Sequence, residues 1–358
     1  MKKKAEDIAK EFFRAIFGRF IADILFRQML DKFHIGDFES LDTIQKIKIG
    51  QKIIEDVFTK FYTEEKIENM KVLYLLRFSL NEVGGKVEEI TKKECQIKIN
   101  SPEEIPPMEI DTHIRFFEQE GNIKFIFEWS EMLEGHLLIT LSKDTSIRFA
   151  GIFMQAMMGI SPEGDELDEM KVSAMNEFFN IILPVFSKVI GDSFKQMLFF
   201  TPTTYNDFKT KYFLYDEFIK PQKIIHSKIN FRLDNVEHNG ELFFFIKEAT
   251  GRFKKLLDLA QLKKDPFEEA PPRIFAKSTG NIREDVDNFF DMLNLPRENI
   301  DYILKKIYKH SLNNFEYYDY IKFYQTLITE FLTSSSENKK EVIKINLAYL
   351  LGLKKETK

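Results

Sequence analysis

The stretch Ser173-Ala174-Met175-Asn176-Glu177-Phe178-Phe179-Asn180-Ile181-Ile182 lies inside a region, 166–190, whose apolar residues recur with helical spacing. On a wheel turning about 100° per residue, with Ser173 at the origin, Glu177 falls at ~40° and Asn180 at ~−20°. Val172, Met175, Phe178, Phe179, Ile182, Val185, Phe186 and Val189 fall between roughly 120° and 260°. The helix therefore has an apolar back that packs and a front on which Ser173, Glu177 and Asn180 line up. Glu166 and Glu169 extend that front towards the N-terminus. A polar face is common to every amphipathic helix, so the stripe gains weight only from what surrounds it.

On both sides of this helix the period shifts between helix and strand. Upstream, 66–83 reads as a helix stopped by Gly84-Gly85. Short β-rich runs follow at Gln96–Ile99, Thr112–Phe117, Ile123–Phe127 and His136–Leu141, with turn residues between them, including Glu134-Gly135. Ser142 offers an N-cap for a helix from Ile147 to Met158 that ends at Gly159. Downstream, the long helix is expected to end at Gly191. Strands are then expected at Gln196–Phe200, Lys211–Leu214, Lys228–Leu233 and Glu241–Lys247, with a turn at Glu237-His238-Asn239-Gly240. A helix-then-strands block thus occurs twice, at the level of pattern rather than residue identity. Residues 1–63 read as an N-terminal helical region (Ile8, Phe12, Phe13, Ile16, Phe17, then Ile44, Ile47, Ile53, Ile54). Residues 64–250 read as an α/β domain, 251–281 as a linker rich in Pro between 265 and 281, and 282–358 as a C-terminal helical region.

Composition narrows the function classes. The chain has 358 residues, 44% apolar and 30% charged, which is ordinary for a protein with a core. Fifty-two basic residues nearly balance 57 acidic ones, for a net charge of −5, so no nucleic-acid footprint is expected. A single cysteine, Cys95, excludes an internal disulfide and a cysteine zinc site, and it reads as a strand residue. The six histidines (34, 113, 136, 226, 238 and 310) show no metal spacing. No Walker loop, dinucleotide fingerprint or Gly-x-Ser-x-Gly elbow is present. The N-terminus does not read as a signal peptide and no run is apolar enough to span a membrane, so the cytoplasm is the expected location.

Three segments carry a resemblance: Glu134–Thr145 (EGHLLITLSKDT), Phe153–Gly159 (FMQAMMG) and Ser173–Ile182 (SAMNEFFNII). Together they resemble the CheC/CheX/FliY family of chemotaxis phosphatases, over 134–190 in detail and 66–247 by strand pattern. The family signature is an Asp or Ser, a Glu four residues later and an Asn three after that, which Ser173, Glu177 and Asn180 satisfy. The resemblance implies a pseudo-symmetric α+β (α/β) CheX-like domain with long helices packed on an antiparallel sheet. It also implies dephosphorylation of a phosphorylated CheY-like response regulator. Asn180 would orient the attacking water, Glu177 would pair with the lysine at the regulator's phosphorylation site, and Ser173 would border that partner contact. Mg²⁺ would sit on the regulator, with no cofactor or metal bound by this chain. CheX-like members pair through their sheets, so the resemblance allows a homodimer.

The chain also departs from the family. Leu183-Pro184 follows Asn180 where family members have small residues, and Pro184 removes the helical bond to the carbonyl at 180. The first block holds no second Glu-x-x-Asn, so one site is expected. Two readings follow: a CheX-like phosphatase, or the same fold docking a response regulator or flagellar switch component without turnover.

Overall fold

A computed structural model of the protein describes residues 4–262 apart from 60–61, 101, 107–108, 110–122, 162–163, 203–222, 235 and 261. The strands expected at 112–117 and 211–214, the Pro-rich stretch 265–281 and the C-terminal helical region lie outside the described residues. The described chain falls into two compact units. One comprises 42–48 and 68–262, the other 5–41 and 49–67.

The smaller unit contains α1 (Ala5–Lys32) and the greater part of α2 (Thr43–Phe58). The helical spacing read from the sequence becomes a phenylalanine core. Phe13 stacks on Phe58 at 5.3 Å, and Phe26 meets Phe38 edge-on at 5.4 Å. Just past the end of α1 at Lys32, His34 takes a left-handed φ of 57°.

The larger unit is α+β. After α3 (Glu64–Thr91) come β1 (Cys95–Ile99), β2 (Glu103–Glu104), β3 (Ile123–Glu131) and β4 (Leu133–Leu141). Helices α4 (Lys143–Met158) and α5 (Glu169–Phe194) follow, then β5 (Leu198–Pro202), β6 (Lys223–Leu233), β7 (Val236–Ala249) and α6 (Gly251–Leu259). The seven described strands form one antiparallel sheet in the order β1-β6-β7-β4-β3-β5, with the short β2 also on β6. Exchanging β1 with β5, β3 with β6 and β4 with β7 gives the same order reversed. The repeated block is therefore a pseudo-two-fold at the level of topology, and each half lends its first strand to the other half's hairpin.

Several sequence expectations about glycine fail here. Gly84 and Gly85 do not stop α3, which runs on to Thr91 and ends where Lys92 takes a left-handed φ of 55°. The turn expected at Glu134-Gly135 lies instead within β4, and the chain reverses at Glu131 (φ 82°) and Met132. The turn expected at Glu237–Gly240 lies inside β7, with the reversal at Asp234 (φ 51°) between the paired Leu233 and Val236. Gly191 does not end α5, which stops at Lys195 in a left-handed cap. At three of these positions glycine permits close backbone approach. A Cβ on Gly191 would lie 2.6 Å from the Gln196 carbonyl oxygen, and one on Gly240 2.7 Å from that of Thr140. A Cβ on Gly135, whose φ is 144°, would lie 1.9 Å from the Phe245 carbonyl oxygen and 2.7 Å from Trp129 Nε1. A β-bulge between Glu134 and Gly135 marks the same point on the β4–β7 seam.

The second face of the sheet holds a cluster of Ile105, Ile126, Leu138, Ile224, Phe243 and Phe245. Beside it, the buried His226 stacks on Phe243 and bonds two carboxylates, Glu103 Oε1 at 3.0 Å and Glu241 Oε2 at 2.7 Å. That bridge ties the short β2 to the sheet.

Gly135→Ala is expected to lower unfolding stability by at least about 2 kcal/mol, because overpacking and a forced backbone conformation act together. Gly159→Ala is expected to cost only ~1 kcal/mol: its φ is also left-handed, at 70°, but nothing lies near its missing Cβ. Urea denaturation of the two variants against the parent measures the difference.

Candidate functional site

Helix α5 is anchored at its start by a local cap. The Asp168 carboxylate accepts the backbone N–H of Lys171 at 2.8 Å, and that bond, more than the Lys171 charge, holds the carboxyl below its ordinary range. The Lys171 side chain is itself buried. Its ammonium donates to the carbonyls of Gly164 at 3.0 Å and Glu166 at 2.6 Å. A lysine in an acidic stretch reads as surface from sequence, and only the folded loop reveals that it pins residues 164–168 to the helix. Glu166 consequently lies in that loop before the cap rather than on the helix front, whereas Glu169 is the first helical residue.

The apolar back packs as its spacing requires. Phe179 lies 4.7 Å from Phe125 and 5.4 Å from Phe127 in β3. Phe178 meets Phe149 and Phe153 of α4 at 5.9 and 5.6 Å, and Phe186 meets Phe244 of β7 at 6.4 Å. Val172 and Val185, at the margins of the wheel, are only half-buried.

With the back fixed, the front is presented to solvent. Ser173, Glu177, Asn180, Pro184 and Lys188 are all exposed. Asn180 Nδ2 lies 3.5 Å from Glu177 Oε2, the limit of a hydrogen bond, so the amide and the carboxylate are adjacent without being locked together. Among the described residues Glu177 forms no ion pair. The helix is continuous through Pro184, so the Asn180 carbonyl, four residues before it, has no helical N–H to accept. Chemically the stripe offers a neutral donor–acceptor and an unpaired anion on a rigid support, open to a large partner.

The other polar candidates read differently. Cys95 is buried in β1, and desolvation, with the charge of Glu88 adding to it, pushes its thiol up to about 12. His238 is buried against Phe149 and near Thr145. Burial first, and then the Arg148 charge, lowers its pKa. His113 and His310 lie outside the described residues. Among the described residues no three His, Cys, Asp or Glu side chains are grouped as a metal site, and no helix is long and apolar enough to cross a membrane.

No known family profile matches the sequence, and no curated protein matches it. Among solved structures, the chain is similar to FliY of Thermotoga maritima at 15% identity and TM-score 0.41, over 55% of this chain and 96% of that one. It is similar to a chain of the FliG–FliM complex from H. pylori at 7% identity and TM-score 0.38, over 55% and 100%. It is also similar to the chemotaxis protein CheX from Desulfovibrio desulfuricans at 10% identity and TM-score 0.28, over 47% and 97%.

Two substitutions separate the back of α5 from its front. Phe179→Ala is expected to cost about 3–5 kcal/mol of unfolding stability, and Asn180→Ala less than ~0.5 kcal/mol, as measured by denaturant titration. Cys95 is expected to resist thiol reagents at pH 8 in the native protein, where its thiolate fraction is on the order of 10⁻⁴, and to label at once when the protein is unfolded.

Proposed function

We propose that this protein is a chemotaxis-type phosphatase that hydrolyses the aspartyl phosphate of a CheY-like response regulator. The observation that carries the reading is the exposed Glu177–Asn180 pair on α5, its carboxylate without a cation and its amide free to reorient.

The chemistry fits those groups. Phosphoryl transfer depends on positioning and on stabilising charge rather than on covalent help from the protein. The Asn180 amide donates and accepts without carrying charge, so it holds a water in line with the phosphorus without repelling the phosphoryl oxygens. The water oxygen attacks phosphorus, the bond from phosphorus to the aspartyl oxygen breaks, and the products are inorganic phosphate and a free carboxylate. Both protons of the water leave on the phosphate. Glu177 would be repelled by the phosphoryl group unless it met a cation, and the lysine beside the regulator's phosphoaspartate supplies one. Ser173, one turn before Glu177, borders the contact. Mg²⁺ belongs to the regulator, and this chain binds no cofactor in the proposed reaction.

A second reading is a binding module: the same stripe docks a regulator or a flagellar switch component without turnover. Pro184 favours it, since the carbonyl it leaves free belongs to Asn180 itself.

The test is the decay of a phosphorylated CheY-like regulator with and without the protein. Wild type is expected to accelerate decay, Asn180→Ala to lose roughly 100-fold of that acceleration, and Glu177→Ala to weaken regulator affinity by about 10- to 100-fold. Regulator binding by wild type with no change in decay would establish the binding module instead.

A further inference from the structure

The corner joining α4 to α5 carries an apolar patch that no described element of the larger unit covers. Met157, Met158, Ile160 and Met170 are 53%, 56%, 46% and 60% exposed. From Gln155 onward α4 is exposed on all sides, although Phe153 and Met154 just before are buried, so its last turn overhangs the core. Phe178 meets both Phe149 and Phe153, so α4 packs directly against α5. The connection 159–168 joins the exposed end of α4 to the start of α5. Met170 precedes Ser173 by three residues and Glu177 by seven, on the same exposed face, so the patch is continuous with the stripe.

Its rim is of one sign. Asp165, Glu166, Asp168 and Glu169 are exposed around the patch, and Glu177 follows. The one basic residue between 149 and 187 is Lys171, and its ammonium is buried under loop carbonyls. A second copy brought to this patch would set acid against acid, and an anionic lipid surface would be repelled in the same way. Methionines suit a protein surface whose shape they can follow.

We infer that Met157, Met158, Ile160 and Met170 form the docking surface for the regulator, engaging an apolar, basic-rimmed face beside its phosphorylation site. This rests on the proposed reaction at Glu177 and Asn180. The stripe by itself is narrow, and the patch supplies the area that holds the partner while Asn180 positions water.

Binding of the full chain to a CheY-like regulator held in its phosphorylated form with beryllofluoride tests it, by calorimetry at two salt concentrations. The Met157→Ser/Met158→Ser double variant and Met170→Ser are each expected to raise Kd at least tenfold. Met157→Leu/Met158→Leu is expected to restore binding, and Asp165→Lys/Glu166→Lys to weaken binding and flatten its salt dependence. Unchanged melting temperatures would show that these exposed substitutions leave the fold intact. If the serine variants bind as tightly as wild type while Asn180→Ala still loses the acceleration of decay, the docking surface is overturned and the reaction stands. If the serine variants instead turn a dimer into a monomer with regulator affinity intact, the patch is a self-interface and the proposal fails. If wild type does not bind the regulator at all, the docking surface falls with the reaction it serves.

Discussion

The larger unit depends on the antiparallel seam between β4 and β7, from Leu133 opposite Ala249 to Leu141 opposite Gly240. Both halves of the domain meet there, and both exchanged strands attach outward from it, β1 through β6 and β5 through β3. Two glycines let the seam close. Gly240 admits the backbone of Thr140, and Gly135, at the bulge, admits the carbonyl of Phe245 and the ring of Trp129. Trp129 lies nearly parallel to Phe244 at 5.6 Å, so the ring that fills the space above Gly135 also joins β3 to β7.

The seam reaches the candidate site through the aromatic layer on its helix-facing side. Phe125 and Phe127 of β3 and Phe244 of β7 receive Phe179 and Phe186 of α5. A helix held along one side by bulky rings has little freedom to rotate, because rotation would expose them to water. The direction of Ser173, Glu177 and Asn180 is thus fixed by residues on the opposite side of the same helix. At its start, Asp168 and the buried Lys171 prevent fraying and hold the acidic loop close. Rigidity of this kind is what positional catalysis and rigid docking both require, so it does not by itself choose between them.

Much of this was legible in the sequence, and the failures share a physical cause. The long helices, the antiparallel strands and the apolar back of α5 followed from periodicity, since buried faces write a period into the chain. The twofold pattern of helix and strands was visible as a rhythm, but the exchange of first strands was not, because pairing across about 130 residues leaves no local mark. Glycines were read as punctuation, yet Gly135, Gly191 and Gly240 sit where a neighbouring backbone comes within van der Waals distance of the α-carbon. That neighbour lies across a strand pair or a tight connection, and local sequence does not display it. Likewise, the bridge from Glu103 through His226 to Glu241 joins residues on three strands, and none of the three stands out in sequence. The candidate stripe was legible because all its members lie on one helix. The methionine patch was not, since Met157, three residues after the buried Met154 and four after the buried Phe153, occupies a position that by spacing alone belongs as readily to a core.

Pro184 bears on how the stripe works. A proline in a helix interior costs about 3 kcal/mol through a lost hydrogen bond and a clash with the carbonyl four residues back. Here that carbonyl belongs to Asn180, and both residues are exposed, so water can hydrate the oxygen that the helix leaves unpaired. Hydration removes part of the cost and leaves the remainder in the backbone beneath the site, while Phe179, Ile182 and Phe186 keep the buried side in register. The Asn180 amide lies beyond two side-chain torsions and approaches Glu177 rather than the backbone. The disturbance therefore acts on the peptide carbonyl and reaches the amide only through the tilt of its Cα–Cβ bond. A residue that orients water tolerates a small tilt if the docked partner, rather than the free helix, fixes the final geometry. The catalytic reading and the proline are thus compatible when docking is strong and incompatible when it is weak, which makes the surface beside the stripe as decisive as the stripe itself.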